Sequence, residues 1–106
     1  MSKLTTGSAL QALRDSKSDF VRLLERDGFD VGLYKPDRVD QQTPHLRDEL
    51  YVIADGSGFF RNGAETEAVQ AGDVLFVMAG VEHRFTDFSD DFAAWVIFIG
   101  PRPQPA

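Results

Sequence analysis

The chain has 106 residues, which is enough for one domain with its own hydrophobic core. Apolar residues make up 42% of the chain and charged residues 26%, a balance that argues against disorder over the whole length. The net charge of −6 argues against nucleic-acid binding and against docking on an anionic membrane, because both need a basic surface. There is no cysteine, which excludes disulfides, thiolate metal sites and a cysteine nucleophile.

The first 28 residues have the spacing of two short helices. Apolar residues there recur at steps of three and four in two groups, Leu10 with Leu13, and Phe20 with Leu23 and Leu24. Ser8 and Ser18 suit helix N-caps, and Gly28 is placed to end the second helix. No segment has the apolar length of a secretory signal or of a membrane-spanning helix, so we expect a cytoplasmic protein.

After Gly28 the pattern changes to short β-rich runs separated by turns. The runs lie at residues 29–34, 50–54, 59–60, 74–78, 81–85 and 93–99. Asn62-Gly63 is a strong hairpin signal, and the Gly-rich stretch at 55–58 indicates another turn. Short strands at this spacing predict an all-β sandwich or closed barrel over residues 29–100.

These elements predict a single domain over residues 1–106. The barrel occupies residues 29–100, and the helical segment 1–28 packs on its outside or covers an opening. Residues 101–106 are rich in proline, which cannot sustain a ladder of hydrogen-bond donors, and we expect them to form a tail.

Two segments of the β-rich part carry candidate metal ligands. His45 and Glu49 precede the run at 50–54, and His83 follows the turn at Gly80. Two imidazoles and one carboxylate are the ligand set of a facial triad, which leaves open positions for water, substrate or dioxygen. A barrel interior can bring strands that are distant in sequence together on one ion. We therefore predict a metal site built from these three residues.

The same residues resemble the two sequence motifs of the cupin superfamily. In the first motif a histidine pair is followed by a glutamate and a glycine; in the second, Gly-Asp is followed by a Pro-x-Gly turn, a histidine and an asparagine. The matching residues are His45, Glu49 and Gly56 in the first motif and Gly72, Gly80 and His83 in the second. The resemblance spans about residues 40–87 and implies a jelly-roll barrel, the double-stranded β-helix, of the RmlC-like type. It implies little about function, because cupins perform diverse chemistry.

Three residues depart from the cupin motifs. Thr43 stands where the first metal histidine would be, Met78 replaces the motif proline and Asp87 replaces the asparagine. Met78 bears only on the geometry of a turn. Thr43 bears on the metal, because a neutral hydroxyl is a poor ligand for a transition ion, and we place Thr43 in the pocket beside the site.

A glutamine amide oxygen offers a replacement for the missing histidine. Strand alternation favours Gln41 on the face of His45. Pro44 disturbs the pleat, however, and a disturbed pleat favours Gln42 as the inward residue. We include Gln42 and keep Gln41 as the alternative. The predicted site is one divalent transition ion (Fe, Mn, Ni or Zn) held by His45, Glu49, His83 and Gln42.

Aromatic residues near these ligands predict a partly apolar pocket. Strand parity places Tyr51 on the face of Glu49 and Phe85 on the face of His83. The predicted pocket residues are Thr43, Tyr51, Phe85 and Trp95. Such a lining suits an aromatic or enolisable compound better than a highly charged one.

Three functions fit this sequence. The first is a metal-dependent enzyme of oxygenase or isomerase type that acts on a small organic molecule, with the ion as Lewis acid or redox centre. The alternative is a non-catalytic module that binds a small-molecule ligand, and the third is a metal-free structural domain. The resemblance also implies a homodimer, which would cover edge strands. Arg47 and Arg84 are expected to point outward into solvent.

Overall fold

The structure is a computed structural model that describes residues 3–40, 42 and 45–101. One helix precedes eight strands in this part of the chain. The elements are α1 (Thr6–Ser16), β1 (Phe20–Glu25), β2 (Phe29–Tyr34), β3 (Asp48–Asp55), β4 (Ser57–Asn62), β5 (Glu65–Gln70), β6 (Val74–Val77), β7 (His83–Thr86) and β8 (Ala93–Ile99). In the described residues, no helix has both the length and the apolar character needed to cross a membrane.

Helix α1 is the first of the two predicted helices. Its N-cap is Thr5, whose hydroxyl accepts a hydrogen bond from the backbone N–H of Ser8 at 3.1 Å, so Ser8 itself is not the cap. The helix ends at Lys17, which adopts the left-handed conformation with φ of 57°. Ala9 and Leu13 are buried on the face that packs against β1 and β2. The helix therefore lies on the outer end of the larger sheet.

The second predicted helix is wrong, because its residues form the strand β1. This strand pairs antiparallel with β2, from Phe20 opposite Tyr34 onward. The pairing shifts between Arg22 and Leu24, so that Leu23 is an extra residue in a β-bulge. A bulge interrupts the alternation of the two faces. Apolar residues consequently recur at steps of three and four, which is the spacing that a helix would show.

Gly32 in β2 is required by the way in which β1 packs. A Cβ atom at this position would lie 2.6 Å from the ring of Phe20 and 2.6 Å from the carbonyl oxygen of Val21. The missing side chain lets the Phe20 ring lie across β2 and reach Phe98 of β8, with the two ring centroids 6.1 Å apart. The edge strand thus contributes a side chain to the interior.

The strands form two antiparallel sheets. The larger sheet has the order β1-β2-β8-β3-β6, and the smaller one has the order β5-β4-β7. The all-β architecture of antiparallel strands is therefore as predicted, and β2 and β8 have the bounds expected from the sequence. The expectation of a closed barrel is wrong: within the described residues no backbone ladder joins the two sheets. They are held together instead by side chains that pack between them.

The hydrophobic core lies between the sheets. Its buried members are Tyr34, Tyr51, Ile53, Val77, Ala94 and Val96 from the larger sheet, Phe60, Val69 and Phe85 from the smaller one, and Phe92 from the loop before β8. The same interior also buries Glu49 and His83 almost completely. A buried carboxylate and a buried imidazole both need polar partners, so this part of the interior is the candidate site.

Candidate metal centre

His45, Glu49 and His83 come together from the two sheets. His45 lies just before β3, Glu49 is in β3 and His83 begins β7. In the larger sheet Glu49 is paired with Val77 on one side and with Phe98 on the other. The pleat of this central strand directs the Glu49 side chain inward, and β7 supplies His83 from the smaller sheet.

The nitrogen and oxygen atoms of these residues have the spacing of metal ligands. His45 Nε2 lies 3.1 Å from Glu49 Oε1, and His83 Nε2 lies 3.4 Å from the same oxygen. One such atom from each residue lies within 4.8 Å of the others. Atoms bound to one ion at about 2.1 Å are about 3.0 Å apart at right angles and about 3.4 Å apart in a tetrahedron. The two nitrogen–oxygen distances therefore fit ligands of a single transition ion, and the three residues form a possible metal site.

Glu49 is a buried carboxylate that lies next to two imidazole rings. Its residue exposure is 1%, and no donor among the described residues gives either carboxylate oxygen a hydrogen bond of good geometry. The nearby nitrogens of His45 and His83 offset its charge only when they carry protons. A buried carboxylate in such surroundings costs several kcal/mol unless a cation compensates it.

His83 is held with a lone pair toward Glu49. Its Nδ1 lies 2.9 Å from the carbonyl oxygen of Val81. Because a carbonyl oxygen only accepts hydrogen bonds, Nδ1 carries the proton of the neutral ring and donates it. Nε2 then has a free lone pair, which faces Glu49 and the Tyr51 hydroxyl. Metal-binding histidines are fixed in this way by a partner on the second nitrogen.

Asp40, which is buried, fixes the orientation of Gln42. Its Oδ1 accepts from the Tyr34 hydroxyl at 2.6 Å and from the Gln42 backbone N–H at 3.0 Å. Its Oδ2 accepts from the Phe85 backbone N–H and from Gln42 Nε2, both at 2.7 Å. Since a carboxylate only accepts, the amide nitrogen of Gln42 must face Asp40. The amide oxygen then faces the ligand cluster, 3.5 Å from His45 Nε2.

The Tyr51 hydroxyl supplies one proton to several acceptors. It lies 2.6 Å from Gln42 Oε1 and 3.1 Å from His83 Nε2. A single hydroxyl proton cannot satisfy both atoms, and the oxygens of Glu49 remain in addition. Among the described residues, acceptor atoms at this point therefore outnumber donors, which is the condition under which a cation stabilises a buried site.

The two histidines differ in their affinity for a proton. Burial lowers the pKa of His45 below its ordinary value. Burial also opposes protonation of His83, but Glu49 and the Val81 carbonyl outweigh it and raise the pKa of His83. Burial and the charge of Glu49 raise the pKa of the Tyr51 hydroxyl well above its ordinary value. Tyr51 thus stays protonated, and His83 is the residue that takes up a proton first.

A cavity of about 670 Å³ opens beside the ligand cluster. Gln42, His45 and Glu49 line one part of it, and the rings of Phe20 and Phe98 line another. This volume lies in the range of sites that bind small organic molecules. A molecule in the cavity would therefore touch the predicted metal ligands and an aromatic surface at the same time.

The expectation that Arg47 points into solvent is wrong. Arg47 is buried. Its Nη1 lies 2.8 Å from Asp30 Oδ2, and its Nε and Nη2 donate to the carbonyl oxygen of Gly100. Arg22 approaches the same oxygen of Asp30 through Nε at 3.4 Å. The fixed acceptors in β2 and at the end of β8 hold Arg47 inward. Arg84 is exposed, as expected.

Of the predicted pocket residues that the structure describes, Tyr51 touches the ligand cluster, whereas Phe85 and Trp95 do not line the cavity. Tyr51 and Phe85 pack against each other in the core, with ring centroids 5.0 Å apart, and of the two Tyr51 touches the ligand cluster. Trp95 is partly buried and alternates along β8 with the cavity-lining residues, so its side chain is on the opposite face. Thr43 and Gln41 lie outside the described residues.

Phe98 and Asp40 belong to the site but are not among the predicted metal ligands or the four predicted pocket residues. Phe98 has the parity of the inward residues of β8, so strand alternation was sufficient to find it. Asp40 had no comparable signal. It precedes the first motif in a stretch without strand pairing, and its role depends on contacts with Tyr34 and Phe85, which are distant in sequence.

Comparisons with known proteins agree on the type of domain. A family model described as the cupin domain matches residues 31–100. An uncharacterized protein of Streptomyces coelicolor is 37% identical over 84 residues, which are 77% of this chain and 80% of that protein.

Solved structures give the same result for the fold. A Bacillus halodurans protein has a TM-score of 0.75 at 15% identity, over 98% of this chain and 85% of the other. KdgF from Halomonas sp. has a TM-score of 0.68 at 17% identity, over 79% and 80%. An RmlC-like cupin from Shewanella frigidimarina has a TM-score of 0.64 at 14% identity, over 80% and 77%. Likeness at these identities concerns the fold alone.

Proposed function

The chain belongs to the cupin family, and on that premise we propose that it binds one divalent transition ion and acts on a small organic molecule. The proposed protein ligands are His45, Glu49 and His83, with Gln42 as a further oxygen donor. Imidazole and carboxylate ligands suit Fe, Mn, Ni and Zn, so the ion is one of these. The reaction is of the oxygenase or isomerase type.

The proposal rests mainly on the surroundings of Glu49. Its carboxylate is buried, lacks donors of good geometry within the described residues, and faces Nε2 of His83, which carries a lone pair in the neutral ring. A structural carboxylate in a protein interior has donors around it. A cation bound by these atoms would remove the repulsion and use every acceptor in the cluster.

The residues around the cluster bear on the type of reaction. When bound, the ion supplies Lewis-acid or redox chemistry at its open positions. Glu49 is used as a ligand, and the raised pKa of Tyr51 keeps this hydroxyl protonated, so neither group is free to accept a proton. A general base would therefore have to come from the substrate itself or from water. This favours oxygenase or isomerase chemistry over hydrolysis.

The alternative is a binding module that holds a metabolite and does not transform it. The described residues around the cluster supply no free general base, and this also favours a binding module, because a site that only binds its ligand needs no base. The two functions differ in turnover and not in metal content. Protein reconstituted with Fe(II), Mn(II), Ni(II) or Zn(II) is screened against catechols, diketones and hydroxy acids for oxygen uptake or spectral change. Tight binding without reaction under every metal supports the binding module.

Elemental analysis of protein purified without an affinity tag tests the metal site. We expect one transition ion per chain in the wild type, and its loss in His45→Ala and in His83→Ala. Thr43→Ala is the control, because a hydroxyl is not among the proposed ligands, and it should keep the ion. Loss of metal from Thr43→Ala equal to that from His83→Ala would contradict the ligand assignment.

A homodimer and a cytoplasmic location remain part of the proposal. Val74 and Phe76 are exposed on β6, an edge strand of the larger sheet, and a second copy of the chain would cover them. Sedimentation at micromolar concentration should give twice the chain mass of 11.8 kDa. A mass of one chain would contradict the dimer.

A further inference from the structure

The cavity has a cationic end that the proposed metal chemistry does not use. Arg22 and Arg47 share a single carboxylate, that of Asp30, at 3.4 and 2.8 Å. Two guanidinium groups and one carboxylate leave one positive charge in excess. Arg47 is further bound to the carbonyl oxygen of Gly100, which does not offset its charge.

Arg22 is the member of this group that a ligand can reach. Its side chain is 39% exposed and lines the cavity. Within the part of the chain that the structure describes, the contact from Nε to Asp30 is its one polar interaction, so its terminal nitrogens are available. Asp30 in turn is held by Arg47, so the position of the Arg22 guanidinium is supported from within.

An aromatic surface connects this cationic end to the ligand cluster. The ring centroid of Phe98 lies 5.4 Å from that of His45 and 5.7 Å from the guanidinium carbon of Arg22. Phe20 adds a second ring, 5.5 Å from the same guanidinium carbon. A small molecule lying on these two rings would have the metal ligands at one end and Arg22 at the other.

The sum of formal charges gives the sign of the molecule that fits. Among the described residues, two arginines and two acidic residues, Asp30 and Glu49, line the cavity, and with neutral His45 their charges cancel. A divalent ion would leave two positive charges in excess, or one if Asp40 behind Gln42 is included. An anion would neutralise this excess, whereas a neutral molecule would leave it in place.

We propose that the ligand of this site is a small organic anion with an apolar or aromatic middle. Its carboxylate binds both terminal nitrogens of Arg22 in a two-pronged contact, its middle contacts the rings of Phe20 and Phe98, and a second oxygen group faces the metal. The contact between the ligand and the metal rests on the proposed function. The contact between the ligand and Arg22 rests on the observed surroundings of Arg22. It replaces the sequence expectation of a substrate that carries little charge.

Calorimetry on untagged, Zn(II)-loaded protein tests the inference. The probes are glutarate, adipate and terephthalate, each compared with its monoamide, which keeps one carboxylate for the ion and makes the other end neutral. We expect the wild type to bind at least one diacid about tenfold more tightly than its monoamide, because the arginine–carboxylate contact is charge-assisted. Arg22→Gln should abolish this preference. Arg84→Gln, which removes an exposed arginine of β7, is the matched control and should retain it.

The zinc content of the same samples separates the two proposals. If zinc is bound but the diacid is not preferred, the inference is overturned and the metal site stands. The same holds if the preference for the diacid survives Arg22→Gln. A protein that binds neither zinc nor Fe(II), Mn(II) or Ni(II) overturns the proposed function, and the same comparison of diacid with monoamide on the metal-free protein then tests the contact with Arg22. If Arg22→Gln does not fold by circular dichroism, Arg22→Lys decides, since it keeps the charge but loses the two-pronged contact. A preference unchanged in Arg22→Lys overturns the inference.

Discussion

Asp40 and Glu49 are both buried carboxylates near the same cavity, but their surroundings are opposite. Asp40 accepts four hydrogen bonds, from Tyr34, Phe85 and two groups of Gln42. Glu49 accepts none of good geometry from the described residues and faces lone pairs. Asp30, the third case, lies between two arginines. A carboxylate surrounded by donors holds the fold, and a carboxylate surrounded by acceptors is suited to a cation. Four predictions test this comparison.

Asp30→Asn should cause the largest loss of stability. It leaves the buried guanidinium of Arg47 without its carboxylate while the charge stays in place. Removing one partner of a buried ion pair lowers the free energy of unfolding by about 3–5 kcal/mol. Urea unfolding measures the change. A loss below about 1 kcal/mol would show that solvent reaches this pair and that it is not a structural carboxylate.

Asp40→Asn should lower the free energy of unfolding by about 2 kcal/mol. Each carboxylate oxygen accepts two hydrogen bonds, so whichever way the asparagine turns, its NH₂ group faces two donors. The side-chain amide of Gln42 would lose its fixed orientation as well, so zinc affinity should fall together with the free energy of unfolding. Unchanged stability in urea, with the metal removed by a chelator, would be inconsistent with this role.

Zinc affinity should depend on pH through His83. Because its pKa is raised, protons begin to compete for Nε2 at a pH above the ordinary histidine value of about 6.5. The pKa of His45 is lowered, so this ring stays neutral over the same range. Affinity should therefore fall about tenfold per pH unit, which corresponds to one proton, or about 1.4 kcal/mol. Calorimetry between about pH 8 and about pH 6 measures this slope, and a fall that starts only below about pH 6 would contradict it.

Glu49→Gln should have the smallest effect on folding, and in the opposite direction. With a chelator present at about pH 8, the free energy of unfolding should rise by about 1 kcal/mol, because a buried charge is replaced by an amide that donates to the nearby lone pairs. The same variant should lose stoichiometric zinc. A destabilisation like that of Asp40→Asn would place Glu49 among the structural carboxylates.

The β architecture could be predicted from the sequence because turns and alternation are local signals. The runs at 29–34 and 93–99 became β2 and β8 with the expected bounds. Residues 20–25 could not be assigned in this way, because the extra residue Leu23 imitates helical spacing. The bulge is recognisable only when the partner strand β2 is known, and that partner is a tertiary contact.

The candidate site was predictable to the extent that its residues follow the cupin motifs. His45, Glu49 and His83 were identified by motif spacing, and the structure brings them together. Asp40 and Arg22 were missed, since their roles depend on side chains from other strands. Burial of charge is set by the whole fold, so an exposed arginine and one buried beside Asp30 look the same in a sequence.

The placement of Arg22 and Phe20 on β1 has a consequence for how proteins of this kind diverge. Among the described strands β1 is an edge strand with one neighbour, β2, whereas Glu49 lies in β3 between β8 and β6. A substitution in β1 disturbs one ladder, and an insertion near its bulge would re-aim the side chains that face the cavity. On the proposed function, descendants of one ancestral chain could therefore change their ligand through β1 while the residues proposed to hold the metal stay the same.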